Sequence, residues 1–435
     1  MKLSFKETKP VMTQTQAVLE ASRCLLCEDA PCNKGCPAGI DVKKFIRAIK
    51  FENFRHSMDL IKENNILPGV CGIVCPREVL CEKECSNTEL STPIKIGDLQ
   101  RFVAEKEYTA KHKLSPTIKK NKTKVVVIGS GPAGLSCAAE LATRGFEVTI
   151  FERRERLGGV LTYGIPAYRL PKRVVKQEIN YIKKLGVKAR KGTVVDSLDD
   201  VLNSGFRAVF IGVGLGKPMF CGIPGEKLKG VVEGVKFLEE VNENPKKVVI
   251  GERVIVIGGG SVAMDCACSA LRVGARHVDL VCLEAPNELP AFREEIERAQ
   301  NEGINIHTRF MPLRIIGKDG KVAGLKAIKI DWKIPGRFLP DNAVKIKGSN
   351  LTLVGDAVIE AIGQAPEPSL LFKGLKTRRG YLVVNKDMMT SKKGVFAGGD
   401  IIISKEERTV VQSVAEGKKA GEAIAAYLKN SSKFK

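Results

Sequence analysis

The chain has 435 residues, is 43% hydrophobic and 28% charged, and carries a formal net charge of +22. This composition is ordinary for two to four folded globular domains, and no apolar stretch approaches the roughly eighteen residues of a membrane span. The opening Met-Lys-Leu-Ser-Phe-Lys-Glu has no apolar core of a signal peptide, so a reducing cytoplasm is the expected location and no membrane partner is expected.

Residues 13–23 read as a helix that leads into a cysteine ladder. Eight of the 13 cysteines lie in two phrases. The first is Cys24-x2-Cys27-x4-Cys32-x3-Cys36-Pro37, and the second is Cys71-x3-Cys75-Pro76-x5-Cys81-x3-Cys85. A ladder ending in Cys-Pro is how bacterial ferredoxins hold cubane iron–sulfur clusters, and there the cysteine before proline ligates the neighbouring cluster. Two such phrases therefore suggest two interleaved clusters, although the spacing is not the ferredoxin one. Structural zinc is the competing metal, but it usually pairs two CxxC or CxxH units, and one CxxC is present. A disulfide framework belongs to small secreted domains rather than to a chain of this kind. Between the phrases, Asp41 is placed to cap a helix with Val42, Phe45, Ile46 and Ile49 on one face, and residues 52–63 read as a second helix ending near Asn64. The ladder is thus expected on loops between short helices. On the residues alone, Gln100 reads as a surface side chain on the helix after Pro93.

Residues 1–110 hold 16 Lys and Arg against 15 Asp and Glu, so nearly all of the positive excess lies further on. Apart from a basic linker at 111–124, the basic residues are scattered and aromatics are few. That argues against nucleic acid and for a lysine-rich surface suited to anionic cofactors or an acidic partner.

An internal repeat follows. Lys124–Glu152 and Arg253–Glu284 each read as strand, Gly-rich turn, helix, strand and acidic residue, the dinucleotide-binding fingerprint in full context. Gly129 and Gly258 allow the tight turn, and Gly131 and Gly260 let backbone approach a pyrophosphate at a helix N-terminus. Gly134 keeps the first helix close to its strand, with Ala263 in the matching place. Glu152 and Glu284 are set to accept from a ribose 2′-hydroxyl. A strand at 208–211, the run Asp356–Gln364 and a strand ending at Asp400 before a helix from about Val410 complete the pattern. The second unit, about 245–355, is expected to be inserted in the first, which would span 125–244 and 356–435. The predicted fold class is α/β: an α-helical double-cluster domain (1–110), then two Rossmann-like domains. Cys266 and Cys268, two apart on a helix, point to different faces and are not expected to form a disulfide. The four histidines show no catalytic spacing.

The Cys ladder, GSGPAG at 129–134, Gly158-Gly159, YGIPAYRLP at 163–171, GGGSVAMD at 258–265 and FAGGD at 396–400 together resemble the two-dinucleotide-domain flavoproteins. That superfamily includes the glutamate synthase small subunit and the N-terminal half of dihydropyrimidine dehydrogenase. Ser22–Cys32 and Ile96–Phe102 look most like the dihydropyrimidine dehydrogenase branch, above all its bacterial flavin and iron–sulfur subunit. The resemblance implies FAD, NAD(H) and two [4Fe-4S] clusters. One cluster would be held by Cys24, Cys27, Cys32 and Cys85. The other would be held by Cys36, Cys75, Cys81 and Gln100, with Cys71 spare. FAD would contact Glu152, Gly159, Arg169 and Asp400, NAD would contact Gly258, Gly259, Gly260, Ser261 and Glu284, and Gly363 would be a further cofactor contact. NADPH-using relatives carry Arg or Lys where this chain has Leu283 and Glu284, which implies NADH preference, with Arg293 nearby as the residue able to reach a phosphate. The resemblance also implies an electron-transfer subunit of a hetero-oligomer. Pyrimidine reduction would lie on a separate flavin-dependent barrel, because no further catalytic domain is expected in this chain. A glutamate synthase small subunit, a ferredoxin- or sulfide-type reductase, and a zinc-bearing scaffold without redox activity are the competing readings.

Overall fold

The computed structural model describes residues 3–110 and 120–432, so most of the expected linker lies outside the described residues. Helices α1 (Gln14–Ser22), α2 (Pro31–Lys34), α3 (Val42–Lys50), α4 (Phe54–Lys62), α5 (Pro68–Val74) and α6 (Ile96–Thr109) come first. Their starts follow from side-chain caps. Thr13 accepts from Gln16 N while the Gln16 side chain accepts from Thr13 N, and Asp41 and Asn53 accept from Lys44 N and His56 N. One face of α3 (Val42, Phe45, Ile46, Ile49) is buried, as are Met58 and Ile61 of α4 and Leu99, Phe102 and Val103 of α6. The ladder is not confined to loops: Cys32 lies in α2 and Cys71 in α5. α5 packs tightly on α6, and a Cβ at Gly72 would lie 2.8 Å from Arg101 N.

Next come β1 (Lys124–Ile128), α7 (Pro132–Thr143), β2 (Glu147–Phe151), α8 (Val160–Tyr163), α9 (Lys172–Lys184), β3 (Lys188–Arg190), α10 (Leu198–Asn203) and β4 (Ala208–Ile211). The middle of the chain holds β5 (Lys217–Pro218), β6 (Val231–Glu233), α11 (Gly234–Glu243), β7 (Arg253–Ile257), α12 (Ser261–Val273), β8 (His277–Val281), α13 (Arg293–Asn301) and β9 (Asn305–His307). It continues through β10 (Phe310–Lys318), β11 (Lys321–Trp332), β12 (Ala343–Val354), β13 (Ala357–Glu360) and β14 (Gln364–Ala365). Last are β15 (Thr377–Arg378), β16 (Tyr381–Leu382), β17 (Val395–Ala397) and α14 (Val410–Ser432). None of the described helices is long and apolar enough to cross a membrane.

The chain forms two compact units. One comprises residues 3–6, 163–168 and 216–365, and the other holds the remaining described residues. The latter unit contains the six N-terminal helices and a parallel sheet of order β17-β4-β1-β2-β3. Its central strands read as unbroken apolar runs, Val125–Ile128 and Ala208–Ile211, because parallel strands are covered on both faces. The other unit contains a parallel sheet of order β6-β13-β7-β8-β9. Ala357 and Ile359 of that sheet pack with α11 and α12, whereas Val358, Ile255, Ile257 and Val281 pack against an antiparallel sheet, β10-β11-β12.

The boundaries expected at 245 and 355 differ from this arrangement. Residues 231–233 and 357–360 both pair in the second sheet, so that unit runs from about 216 to 365. Asp356–Gln364 therefore belongs to the second unit, and the first resumes only afterwards. A short apolar strand before glycine suits either sheet, and only pairing with β7 decides between them.

Candidate functional site

The eight ladder thiols fall into two groups. Cys24, Cys27, Cys32 and Cys85 act on one another: burial first, then Cys24 and Cys85, push the Cys32 thiol up to about 12. Burial likewise raises Cys24, with Cys85 and Cys27 adding to it. This group lines a small hollow that opens to solvent, with Lys43 and Ile94 in its wall. In the second group a hydrogen bond with Cys71, then burial, raise the Cys75 thiol, and Cys36 and Cys81 contribute after these. Burial and Cys36 raise Cys81, and Cys32 of the first group also acts on it. Cys85 thus crosses from the second phrase to the first group, and Cys36 crosses the other way.

These residues fit iron–sulfur clusters on three observations. All eight thiols are free, with no disulfide among them. Backbone amides point at the sulfurs: Ile94 N donates to Cys85 Sγ at 3.4 Å, Leu26 N bonds Cys24, and the amides of 38–40 surround Cys36. Amide bonds to sulfur are a lever by which proteins tune such clusters. Leu26 and Ala30, flanking Cys27 and Cys32, hold φ of +54° and +40°, backbone strain that places the thiols. Among the described residues no three His, Cys, Asp or Glu converge on a single metal-ion position. A cubane instead gives each thiolate its own iron.

Gln100 is buried, 6% exposed, and not the surface side chain that its residues alone suggest. Its Nε2 donates to Pro68 O at 2.7 Å, at the start of the helix that carries Cys71. With Nε2 committed, the amide oxygen is the atom left to act as a ligand.

The first Gly-rich turn is shaped as the fingerprint requires. Gly129 has φ +94°, and a Cβ there would lie 2.5 Å from Gly212 O. A Cβ at Gly134 would lie 2.0 Å from Gly129 O, so only glycine lets α7 sit on its strand. Gly131 looks into open space, with the nearest atom 4.0 Å from a built Cβ, and caps α7 with no side-chain bond. The first amides of α7 are therefore offered to an anion. Glu152, 7% exposed, accepts from Ser130 N at 2.9 Å, from Ser130 Oγ at 2.5 Å and from Arg154 N at 3.0 Å. Ser130 Oγ in turn accepts from Gly158 N at 3.0 Å. The sequence reading missed Ser130, although its place inside the Gly-rich turn marked it. Gly159 backs onto Gly131, where a Cβ would come within 2.9 Å of its Cα. Arg169 is half-buried in the turn before α9. Asp400 follows β17, and burial pushes its carboxyl up against the opposing pull of Arg408, just before α14, and of Ser413 on the first turn of that helix. Glu416, a turn further along, accepts from Gly399 N at 2.7 Å and fixes the Gly-Gly-Asp corner.

The second turn repeats this geometry in its own unit. Gly258 has φ +137°, and a Cβ there would lie 2.4 Å from Ala361 O. Gly260 is open, with Pro290 Cγ 4.0 Å from a built Cβ, and Ser261 begins α12. A Cβ at Gly259 would lie 2.7 Å from Glu284 Oε2, so the carboxylate sits directly beside the turn. Burial raises the Glu284 carboxyl, offset by its own amide and that of Leu283. Gly363 follows β13 at the same edge of the sheet. Arg293 opens α13, its side chain 84% exposed and paired with Glu297 at 2.7 Å. Cys266 and Cys268 lie in α12 and are both buried, and His307 pairs with Asp279 at 2.8 Å.

Residues 123–421 match the pyridine nucleotide-disulphide oxidoreductase family, and residues 1–112 match dihydropyrimidine dehydrogenase domain II, 4Fe-4S cluster. The chain is 37% identical over 424 residues to the NAD-dependent dihydropyrimidine dehydrogenase subunit PreT of Escherichia coli, covering 97% of each. It is 37% identical to the NADP(+)-dependent formate dehydrogenase subunit beta of Moorella thermoacetica, covering 92% of this chain but 60% of that protein. It is 31% identical to the glutamate synthase [NADPH] small chain of Escherichia coli, covering 98% and 94%. Among solved structures, Mycobacterium tuberculosis FprA in complex with NADPH superposes with a TM-score of 0.59 at 17% identity, covering 72% of this chain and 86% of that one. Thioredoxin reductase from T. acidophilum superposes at 0.55 and 23%, covering 71% and 99%. At these identities both show a shared fold.

Proposed function

This chain belongs to the pyridine nucleotide-disulphide oxidoreductase family, joined to a dihydropyrimidine dehydrogenase-type 4Fe-4S domain, and we propose that it is the NADH-oxidising, electron-delivering subunit of a two-subunit dihydropyrimidine dehydrogenase. The observation that carries this reading is the shared unit: both thiol groups and the first Gly-rich turn lie in one compact body, with Cys32 and Cys81 in electrostatic contact between the groups. When bound at the first Gly-rich turn, FAD would supply two-electron chemistry with NADH and one-electron chemistry with two clusters, which the ladder residues would hold on the way to a partner.

The chain's own residues bind and orient. The N-terminus of α12 and the open face of Gly260 receive the NAD pyrophosphate, with Glu284 accepting from the adenosine ribose. The N-terminus of α7, Gly131 and Glu152 do the same for FAD, and Arg169, Gly159 and Asp400 hold the flavin half. Cys24, Cys27, Cys32 and Cys85 hold one cluster, and Cys36, Cys75, Cys81 and Gln100 hold the other. A separate subunit with a flavin-dependent barrel reduces uracil or thymine to the 5,6-dihydropyrimidine, and the assembly is a cytoplasmic hetero-oligomer. This reading extends to the present chain what PreT is named for, and their match over 97% of both supports it.

The test is to purify the chain with its bound partner and follow NADH oxidation. Oxidation dependent on uracil or thymine is the expected result. Oxidation dependent on 2-oxoglutarate plus glutamine would replace the proposal with the glutamate synthase reading.

A further inference from the structure

One carboxylate joins the flavin-binding part of its unit to the cluster-binding part. Glu178, in the middle of α9, is 2% exposed. Its Oε1 accepts from Gly69 N at 2.5 Å and from Tyr108 Oη at 2.8 Å, and its Oε2 accepts from Val70 N at 3.3 Å. Gly69 and Val70 open α5, the helix that carries Cys71 and ends at Cys75. Position 69 has no room for a side chain, since a Cβ there would lie 2.3 Å from Tyr108 Oη and 3.1 Å from Glu178 Oε1.

The charged neighbours of Glu178 come from each element around it. From α4, Lys62 acts on it, while Lys62 Nζ also bonds Glu107 at 2.6 Å and lies 3.3 Å from the Tyr181 ring centroid. From α6 comes Tyr108, with Glu105 and Glu107 behind it. From α5 come the two amides. On α7, which also packs on α9, Glu140 is held by Arg144, and on α9 itself Arg173 is held by Glu105. The net result is a buried carboxylate gripped by neutral donors, with its nearest cation shared with Glu107.

We propose that Glu178 is a positioning residue for electron transfer: its carboxylate, seated on the N-terminus of α5, sets the potential of the cluster that Cys75 ligates and takes up a proton as that cluster takes an electron. The inference rests on reading the second thiol group as a cluster site. Gly69 and Cys75 are six residues apart, about 9 Å along a helix axis at ~1.5 Å per residue. In a dry interior, a negative charge at that range opposes an added electron. Burial pushes the Glu178 carboxyl up to about 7, against the pull of Tyr108, the two amides and Lys62. The group is therefore poised between its two states near neutral pH. The step balances simply: one electron reaches the cluster from the flavin side, and one proton from solvent adds to the carboxylate, with no cluster bond made or broken.

The sign follows. Reduction raises the carboxyl's proton affinity, so the cluster's midpoint potential falls as pH rises through the titration of Glu178. A glutamine there carries no charge, so the potential is higher and flat. The experiment is an anaerobic redox titration of the holoprotein followed by electron paramagnetic resonance, from about pH 6 to 8 around that titration, on wild type, Glu178→Gln and Tyr108→Phe. In wild type, one cluster shows a falling potential and the other stays constant. Glu178→Gln abolishes the slope and raises that potential. Tyr108→Phe keeps the slope but moves it to higher pH, because the carboxylate loses a donor. The Tyr108→Phe arm stands alone if Glu178→Gln fails to fold. A flat wild-type profile, a Glu178→Gln protein with full iron and the wild-type slope, or an unmoved slope in Tyr108→Phe overturns the inference. Wild-type protein without iron overturns the cluster reading itself, a separate and visible failure.

Discussion

At the scale of single residues, the proposed preference for NADH rests on Glu284. Its carboxylate lies beside the Gly-rich turn, 2.7 Å from where a Gly259 Cβ would be, and nothing basic stands in its place. A carboxylate accepts from a ribose 2′-hydroxyl and repels a 2′-phosphate. Arg293, the basic residue a few positions on in sequence, is turned to solvent and paired with Glu297. Wild type is expected to favour NADH in kcat/KM, and Glu284→Ala is expected to shrink that preference by about tenfold, about 1.4 kcal/mol of discrimination. A wild-type preference for NADPH would reverse the assignment. The placement of Glu152 and Glu284 beside their turns was legible in the sequence because a strand, a Gly-rich turn and a helix fix where the next acidic residue falls. Ser130 and Glu178 were not. Ser130 matters through a bond to a residue 22 positions away, and Glu178 through bonds to amides 108 and 109 positions away, and no local pattern records such a partner.

At the scale of elements, α5 and α6 compete to complete the second cluster. α5 offers Cys71, fully buried and bonded to Cys75, and α6 offers the Gln100 amide oxygen. Gln100 is the proposed ligand, and its Nε2 bond to Pro68 O orients it. Gln100→Ala is then expected to cut iron from about eight to about four atoms per chain, or to shift one cluster's spectrum, with Cys71→Ala near wild type on both counts. The reverse pattern would assign the ligand to Cys71. The capped helices α1, α3 and α4 were readable because Thr13, Asp41 and Asn53 announce their starts. α5 was not, because Gly-Val-Cys-Gly-Ile-Val is too short and glycine-rich to show a helical period, and tertiary packing on α6 decides it. The β10-β11-β12 sheet was missed because lysines and glycines interrupt its alternation, as at Lys326 and Gly324.

At the scale of the whole molecule, two separate parallel sheets were visible in the repeat of strand, turn and helix, whereas the borders of the second, and the joining of the ladder helices to the first sheet in one compact unit, were not. β6 and β13 lie outside the repeated stretch and join the second sheet by pairing alone. The cluster ladder and the flavin turn share a body, tied by Glu178 to Gly69 and by Lys418 Nζ to Asn64 Oδ1 at 2.8 Å. The positive charge accumulates beyond the ladder, in the parts that bind two anionic dinucleotides.

The central claim is that electrons enter as NADH and leave through iron–sulfur clusters within this one chain. The direct measurement is to add NADH anaerobically to the purified protein, with FAD and about eight iron atoms per chain, and to record its flavin absorbance and its electron paramagnetic resonance spectrum at low temperature. The account predicts flavin bleaching together with the signals of reduced [4Fe-4S] clusters. Bleached flavin with clusters that stay oxidised, while chemical reductant still reduces them, would contradict it.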